Sequence, residues 1–99
     1  MESEKDTEKY LVEQVEAMGG LCRKFTSVGV RGVPDRVCLF PKGLTVWVEL
    51  KSEGDRANST QLREHERLKA RSHIIWVIDT KRRVNKLIKG INNELSRRI

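Results

Sequence analysis

The chain is poor in the residues that mark several large classes of protein. It has two histidines and two cysteines in 99 residues. Cys22 and Cys38 lie in separate strand-like runs, without the close pairing that a zinc knuckle or ribbon needs. The segment His65-Glu66-Arg67-Leu68-Lys69 opens like a zincin helix but carries Lys69 where the second histidine must stand one turn later. These absences set zinc aside and make both cysteines buried free thiols rather than a disulfide. No apolar run approaches the roughly 18 residues of a membrane span. The acidic start Met1-Glu2-Ser3-Glu4-Lys5-Asp6 is the opposite of a signal peptide. The expectation is a cytoplasmic, unsecreted protein with no membrane partner, in which Asn58-Ser59-Thr60 is a helix-start cluster and not a glycosylation site.

What is present is charge. Twenty Lys and Arg against fourteen Asp and Glu give a net charge of +6 and a pI near 9.7, a balance that favours a polyanionic partner, most often nucleic acid. With 37% hydrophobic and 34% charged residues the composition is globular. Residues 1–99 suffice for one domain with a modest core, without room for an accessory recognition domain. Extra reach then has to come from a second subunit.

Periodicity orders the elements. Leu11, Val12, Val15 and Met18 make one helical stripe over Thr7 to Met18, stopped by Gly19-Gly20. Glu8 lies along that stripe, either as a first-turn acid favoured by the helix dipole or as part of a site. Leu21 to Thr26 reads as a short strand with Lys24 as its odd charge. The loop Ser27 to Pro34 follows, with two glycines for unusual dihedrals and Pro34 stiffening the approach to Asp35. Because it opens no helix, it is not a phosphate-cradling loop. Arg36 to Phe40 and Thr45 to Lys51 form a hairpin about Pro41-Lys42-Gly43. A second helix runs from the cap cluster Ser59-Thr60 to about Ala70. Gln61, Leu62, His65, Leu68 and Lys69 form its weak stripe, and it is expected at the sheet edge. Ile74 to Ile78 reads as a strand covered on both faces and parallel to the Thr45 strand. Lys81 to Leu95 is a third amphipathic helix. The order is αβββαβα.

Alternation in Val46-Trp47-Val48-Glu49-Leu50-Lys51 places Val46, Val48 and Leu50 on one face and Trp47, Glu49 and Lys51 on the other. A charge in so apolar a run is costly unless it is paired or bound to a metal. Asp35 begins the neighbouring arm of the hairpin, so an antiparallel pairing brings it to Glu49. Two acids and a lysine meeting at a sheet point to a divalent-metal site for phosphodiester chemistry.

Gly32-Val33-Pro34-Asp35-Arg36, then Val48-Glu49-Leu50-Lys51, then Gln61 on the following helix, together resemble the VRR-NUC family of the PD-(D/E)XK nuclease superfamily, over Glu8 to about Asp79. The resemblance implies a restriction-endonuclease-like α/β core, a mixed central sheet flanked by helices in the order αβββαβ(α). It implies that Asp35, Glu49 and the carbonyl of Leu50 ligate Mg²⁺ or Mn²⁺ and that Lys51 orients or activates the attacking water. Gln61 would hold the lysine or a phosphate, and Glu8, which matches a first-helix glutamate shared with archaeal junction resolvases, would act on the metal directly or through water. Lys24 and Arg36 are candidates for DNA contact, with a plain surface charge as the alternative. Phage and bacterial members of this type imply a homodimeric, metal-dependent endodeoxyribonuclease acting on branched DNA such as four-way (Holliday) junctions, as in DNA repair, in a bacterial cell or phage-infected host. Val28, Val30 and the last helix are candidate parts of the dimer surface. Two other readings stand beside this one: a nicking or restriction-like nuclease targeted by partner proteins, and a non-catalytic DNA-binding module whose acidic pair is structural.

Overall fold

The computed structural model describes residues 1–98. Helix α1 spans Glu4–Ala17, β1 Leu21–Lys24, β2 Arg36–Leu39, β3 Thr45–Leu50, α2 Ser59–Ala70, β4 Ile74–Ile78 and α3 Lys81–Arg97. The order is the αβββαβα expected. The four strands form one mixed sheet in sequence order, antiparallel from β1 to β3 and parallel between β3 and β4.

Helices α1 and α3 share one face of this sheet. Leu11 and Val15 of α1 and Val84, Leu87 and Ile91 of α3 are buried against Cys22, Cys38, Val46, Val48, Leu50 and Ile78. The inward side chains of β3 are therefore the alternate set anticipated from its pattern. Fully burying one such aliphatic side chain stabilises the fold by about 1.5–3 kcal/mol, so this layer is what fixes the position of the strand ends. Cys22 and Cys38 face each other across β1 and β2 as buried free thiols, Sγ to Sγ 3.7 Å. Hydrogen bonding from Cys38 lowers the pKa of Cys22, and the same contact with burial raises that of Cys38.

The structure moves several boundaries. Helix α1 begins three residues ahead of Thr7, because Ser3 caps it by accepting from the Asp6 amide at 3.1 Å. Asn58, not Ser59-Thr60, caps α2. Strand β4 has α3 on one face and α2 on the other, as expected, but the cover is partial. It is an edge strand, Ile78 alone of its residues is buried, and Ile74 is 41% exposed. In the last helix the stripe of Val84, Leu87 and Ile91 is buried in the core, with Ile88 and Leu95 partly buried beside it.

Helix α2 lies on the opposite face and packs on β4. The β1–β2 side of that face is open, with Leu21 47% and Leu39 40% exposed.

Candidate active site

The backbone register brings the two acids together. Arg36 is the partner of Val48, so one step outward sets Asp35 opposite Glu49. The amide of Phe40 donates to the carbonyl of Leu44 at 2.8 Å. Counting by twos, the hydrogen-bonded rungs of this ladder are therefore 40–44, 38–46 and 36–48, and the next would be Pro34 with Leu50. Proline has no N–H to give. The carbonyl of Leu50 is thus left without its ladder donor, while its amide turns to the side chain of Asp35, donating to Oδ2 at 2.8 Å. The proline that stiffens the approach to Asp35 also frees a backbone oxygen beside it.

Gly32 seats this approach. Its φ of +82° is in the left-handed region, and a Cβ there would stand 2.7 Å from the carbonyl oxygen of Thr60. The loop backbone thus rests directly on the first turn of α2, which is where Gln61 sits. Gln61 has two engagements. Its Oε1 accepts from the Asn58 amide at 2.9 Å, closing the capping box of α2, and its Nε2 donates to Oε2 of Glu49 at 3.1 Å. The resemblance implies contact with the lysine or a phosphate; in the structure Gln61 holds the glutamate.

Glu49 is 2% exposed. Burial first, then hydrogen bonding and repulsion from Asp35, push its pKa up to about 8, against the lowering influence of Lys51. Such a carboxyl is protonated at neutral pH unless a cation joins it. Its second oxygen, Oε1, has no hydrogen-bond partner. The donor set of two carboxylates and a freed carbonyl is all oxygen, which suits a hard ion such as Mg²⁺ or Mn²⁺ that keeps much of its water. An orphaned buried carboxylate oxygen and a raised carboxyl pKa are both relieved by a divalent cation. The residues fit the ion.

A residue that sequence reasoning did not assign to the site completes the pocket around Glu49. His65, equally buried, faces Oε1 with Nε2 at 3.6 Å. Burial lowers its pKa, so the imidazole is neutral. Its spacing of four from Gln61 was the available signal, because both then point from one face of α2 at the same carboxylate.

Glu8 lies along a cleft of about 290 Å³ that also includes Lys24, Asp35 and Leu50. Its carboxylate accepts from Nε of Arg36 at 2.9 Å, and Nη1 of Arg36 donates to the carbonyl of Cys22 at 3.2 Å. Arg36 is thereby turned inward as a brace for Glu8 instead of outward toward a ligand. Glu8 and Asp35 line the same cleft, and among the described residues no three His, Cys, Asp or Glu side chains converge as a metal cluster. Lys24 is exposed and lines the cleft, and Lys51, half-buried just past the end of β3, is near enough for its charge to act on Glu49.

The chain resembles proteins of known type over most of its length. It is 46% identical over 77 residues to "Putative nuclease p44" of Acyrthosiphon pisum secondary endosymbiont phage 1, covering 78% of this chain and 83% of that protein. A solved structure described as "VRR_NUC domain" superposes with a TM-score of 0.83 at 37% identity, covering 89% of this chain and 97% of its own. No family model matches the chain.

Proposed function

The chain belongs to the VRR-NUC nuclease family, and on that premise we propose that it is a Mg²⁺- or Mn²⁺-dependent endonuclease that hydrolyses phosphodiester bonds in branched DNA. The observation that carries this reading is the opposition of Asp35 and Glu49 at the end of the two central strands, with the charge of Lys51 acting on Glu49. Asp35, Glu49 and the Leu50 carbonyl would hold the cation. When bound there, the ion supplies a Lewis acid that neutralises charge developing on the phosphate. Lys51 orients the attacking water and adds positive charge to the same phosphoryl oxygens. Gln61 keeps Glu49 turned toward the site through its Nε2. Glu8, held by Arg36, orders water across the cleft, and Lys24 meets a phosphate at the rim.

A domain with one active site makes one nick, and paired symmetric cuts at a four-way junction need two copies related by a two-fold axis. The open face of β1 and β2, with Leu21 and Leu39 exposed and Trp47 half-buried beside them, supports a homodimer formed through the sheet. No described helix is long and apolar enough to cross a membrane.

The test is cleavage of labelled linear duplex, flap and four-way junction DNA with Mg²⁺, Mn²⁺ or EDTA, by the parent and by Glu49→Gln, Asp35→Asn and Lys51→Ala. Metal-dependent cleavage of junctions, lost in all three variants while DNA affinity is kept or raised, is the expected result. Binding with no cleavage of any substrate would leave a DNA-binding module instead.

A further inference from the structure

A groove of about 560 Å³ separates the 27–34 loop from the outer side of α2, and none of its lining belongs to the catalytic set. Arg31 enters it from the loop; Thr60, Arg63 and Arg67 enter it from α2, with Glu64 between them. The last three positions recur at three and four along the helix, so Arg63 and Arg67 stand one turn apart on one face. A smaller hollow of about 280 Å³ shares Arg31 and Thr60 and ends at Gln61. Gln61 is the residue that grips Glu49. The groove and the hollow thus have two lining residues in common, and the hollow reaches the residue that holds Glu49.

Its chemistry favours an anion with a repeating charge. Neither helix arginine is locked into a buried pair. Arg67 is 64% exposed and meets Glu64 at 3.1 Å, and Arg63 reaches the Thr60 hydroxyl at 3.4 Å. Glu64 is 13% exposed, so it holds Arg67 from the helix side, while the exposed guanidinium keeps further N–H groups for an acceptor in the groove, as does that of Arg63. Thr60 to Arg67 covers about 10 Å of helix, the axial rise of roughly three nucleotides of one strand. Val30 is the one large apolar side chain in the lining, too little to anchor a peptide. The loop that carries Arg31 has its backbone pressed against Thr60 at Gly32, which fixes the distance between the two walls.

We propose that this groove is a second, non-catalytic binding site that holds the DNA backbone leading away from the scissile phosphate, with Arg31, Arg63 and Arg67 contacting successive phosphates. It rests on the nuclease reading for the identity of the strand. Arg31 sets the loop wall, and the helix pair sets the direction in which the strand leaves. The groove thereby contributes to which arm of a branched substrate is presented to Asp35 and Glu49.

The experiment is fluorescence anisotropy of labelled duplex and four-way junction DNA in EDTA, across a salt series, with the full chain. The Arg31→Ala/Arg63→Ala/Arg67→Ala variant is compared with Arg82→Ala/Lys86→Ala/Lys89→Ala, which removes equal charge from exposed positions on α3 across the sheet. The groove variant is expected to bind at least tenfold more weakly near 100 mM salt and to lose about 0.9 from the salt slope per phosphate contact removed, with kcat at saturating DNA within about threefold of the parent. The α3 variant is expected to keep most of its affinity. Affinity and slope like the parent's in the groove variant, or an equal loss in the α3 variant, would overturn the assignment. Displacement of DNA by polyglutamate as effectively as by unlabelled DNA would also overturn it. A parent that binds through the groove yet cuts no DNA would sink the nuclease reading and leave the groove standing.

Discussion

Nε2 of His65 and Oε1 of Glu49 face each other at 3.6 Å, each side chain 2% exposed and neither atom with a hydrogen-bond partner. The separation is too long for a hydrogen bond, and buried polar atoms are seldom left in this condition. A neutral imidazole can supply one N–H. When a cation holds Glu49 ionised, that N–H is the donor positioned to complete the carboxylate, with Gln61 already on the other oxygen. Residues that hold a ligand this way typically govern metal affinity by 10- to 100-fold. The expected outcome is that His65→Leu, which keeps the volume and removes the donor, lowers Mn²⁺ affinity by about that factor. His65→Gln should retain most of it. Calorimetric titration with Mn²⁺ measures this directly, and a melting curve for each variant separates lost folding from lost coordination. Equal Mn²⁺ affinity in parent and His65→Leu would make the histidine a packing residue.

The raised pKa of Glu49 carries a pH dependence with a definite sign. In the folded, metal-free protein the carboxyl holds its proton up to about pH 8, against an ordinary value of 4.5. Over the interval between these values the folded state binds more protons than the unfolded state, so stability falls as pH rises. The contribution is fully present below the unfolded pKa and is lost as pH passes through the folded one. In EDTA, Tm is expected to decline from about pH 5 to about pH 8.5, and Glu49→Gln is expected to flatten this slope. Mn²⁺ should raise Tm more at the alkaline end, where no proton has to leave before the ion binds. Differential scanning fluorimetry across pH reads all three effects. A metal-free Tm independent of pH in the parent would show that Glu49 is ionised without a cation.

Much of this site was legible because β3 has a period of two. The alternation from Val46 to Lys51 fixes which side chains share a face, and the hairpin turn at Pro41-Lys42-Gly43 fixes which residue of the other arm meets Glu49. His65 was harder to place, since a lone histidine in a weak, charge-broken stripe has no period of its own. Its burial depends on α2 crossing over Glu49, a tertiary fact. The inward turn of Arg36 is similar: nothing local says that its guanidinium meets Glu8, 28 positions earlier. Strand β4 was legible in part: its parallel pairing and its helix on each face follow from the sequence, its place at the sheet edge does not. An apolar run of that length also occurs at an edge, where two helices cover it only in part and leave Ile74 41% exposed.

Pro34 offers the sharpest separation of backbone from side-chain chemistry. Its missing N–H leaves the Leu50 carbonyl outside the β2–β3 ladder at the position where the donor set needs a neutral oxygen. Alanine at this position supplies the absent donor with little change in bulk, so the ladder can gain the 34–50 rung that the register already predicts. A carbonyl that accepts from an amide is a poorer and differently oriented metal ligand. The strand would also tend to lengthen toward Gly32 and draw Asp35 from its place against the Leu50 amide. Pro34→Ala is therefore expected to keep the fold, with a Tm change of a few degrees, and to weaken Mn²⁺ binding and cleavage by at least tenfold each. Amide hydrogen exchange at residue 34 supplies the decisive readout. A protected amide with weakened metal binding supports the freed-carbonyl arrangement, and a protected amide with unchanged Mn²⁺ affinity removes Leu50 from the ligand set.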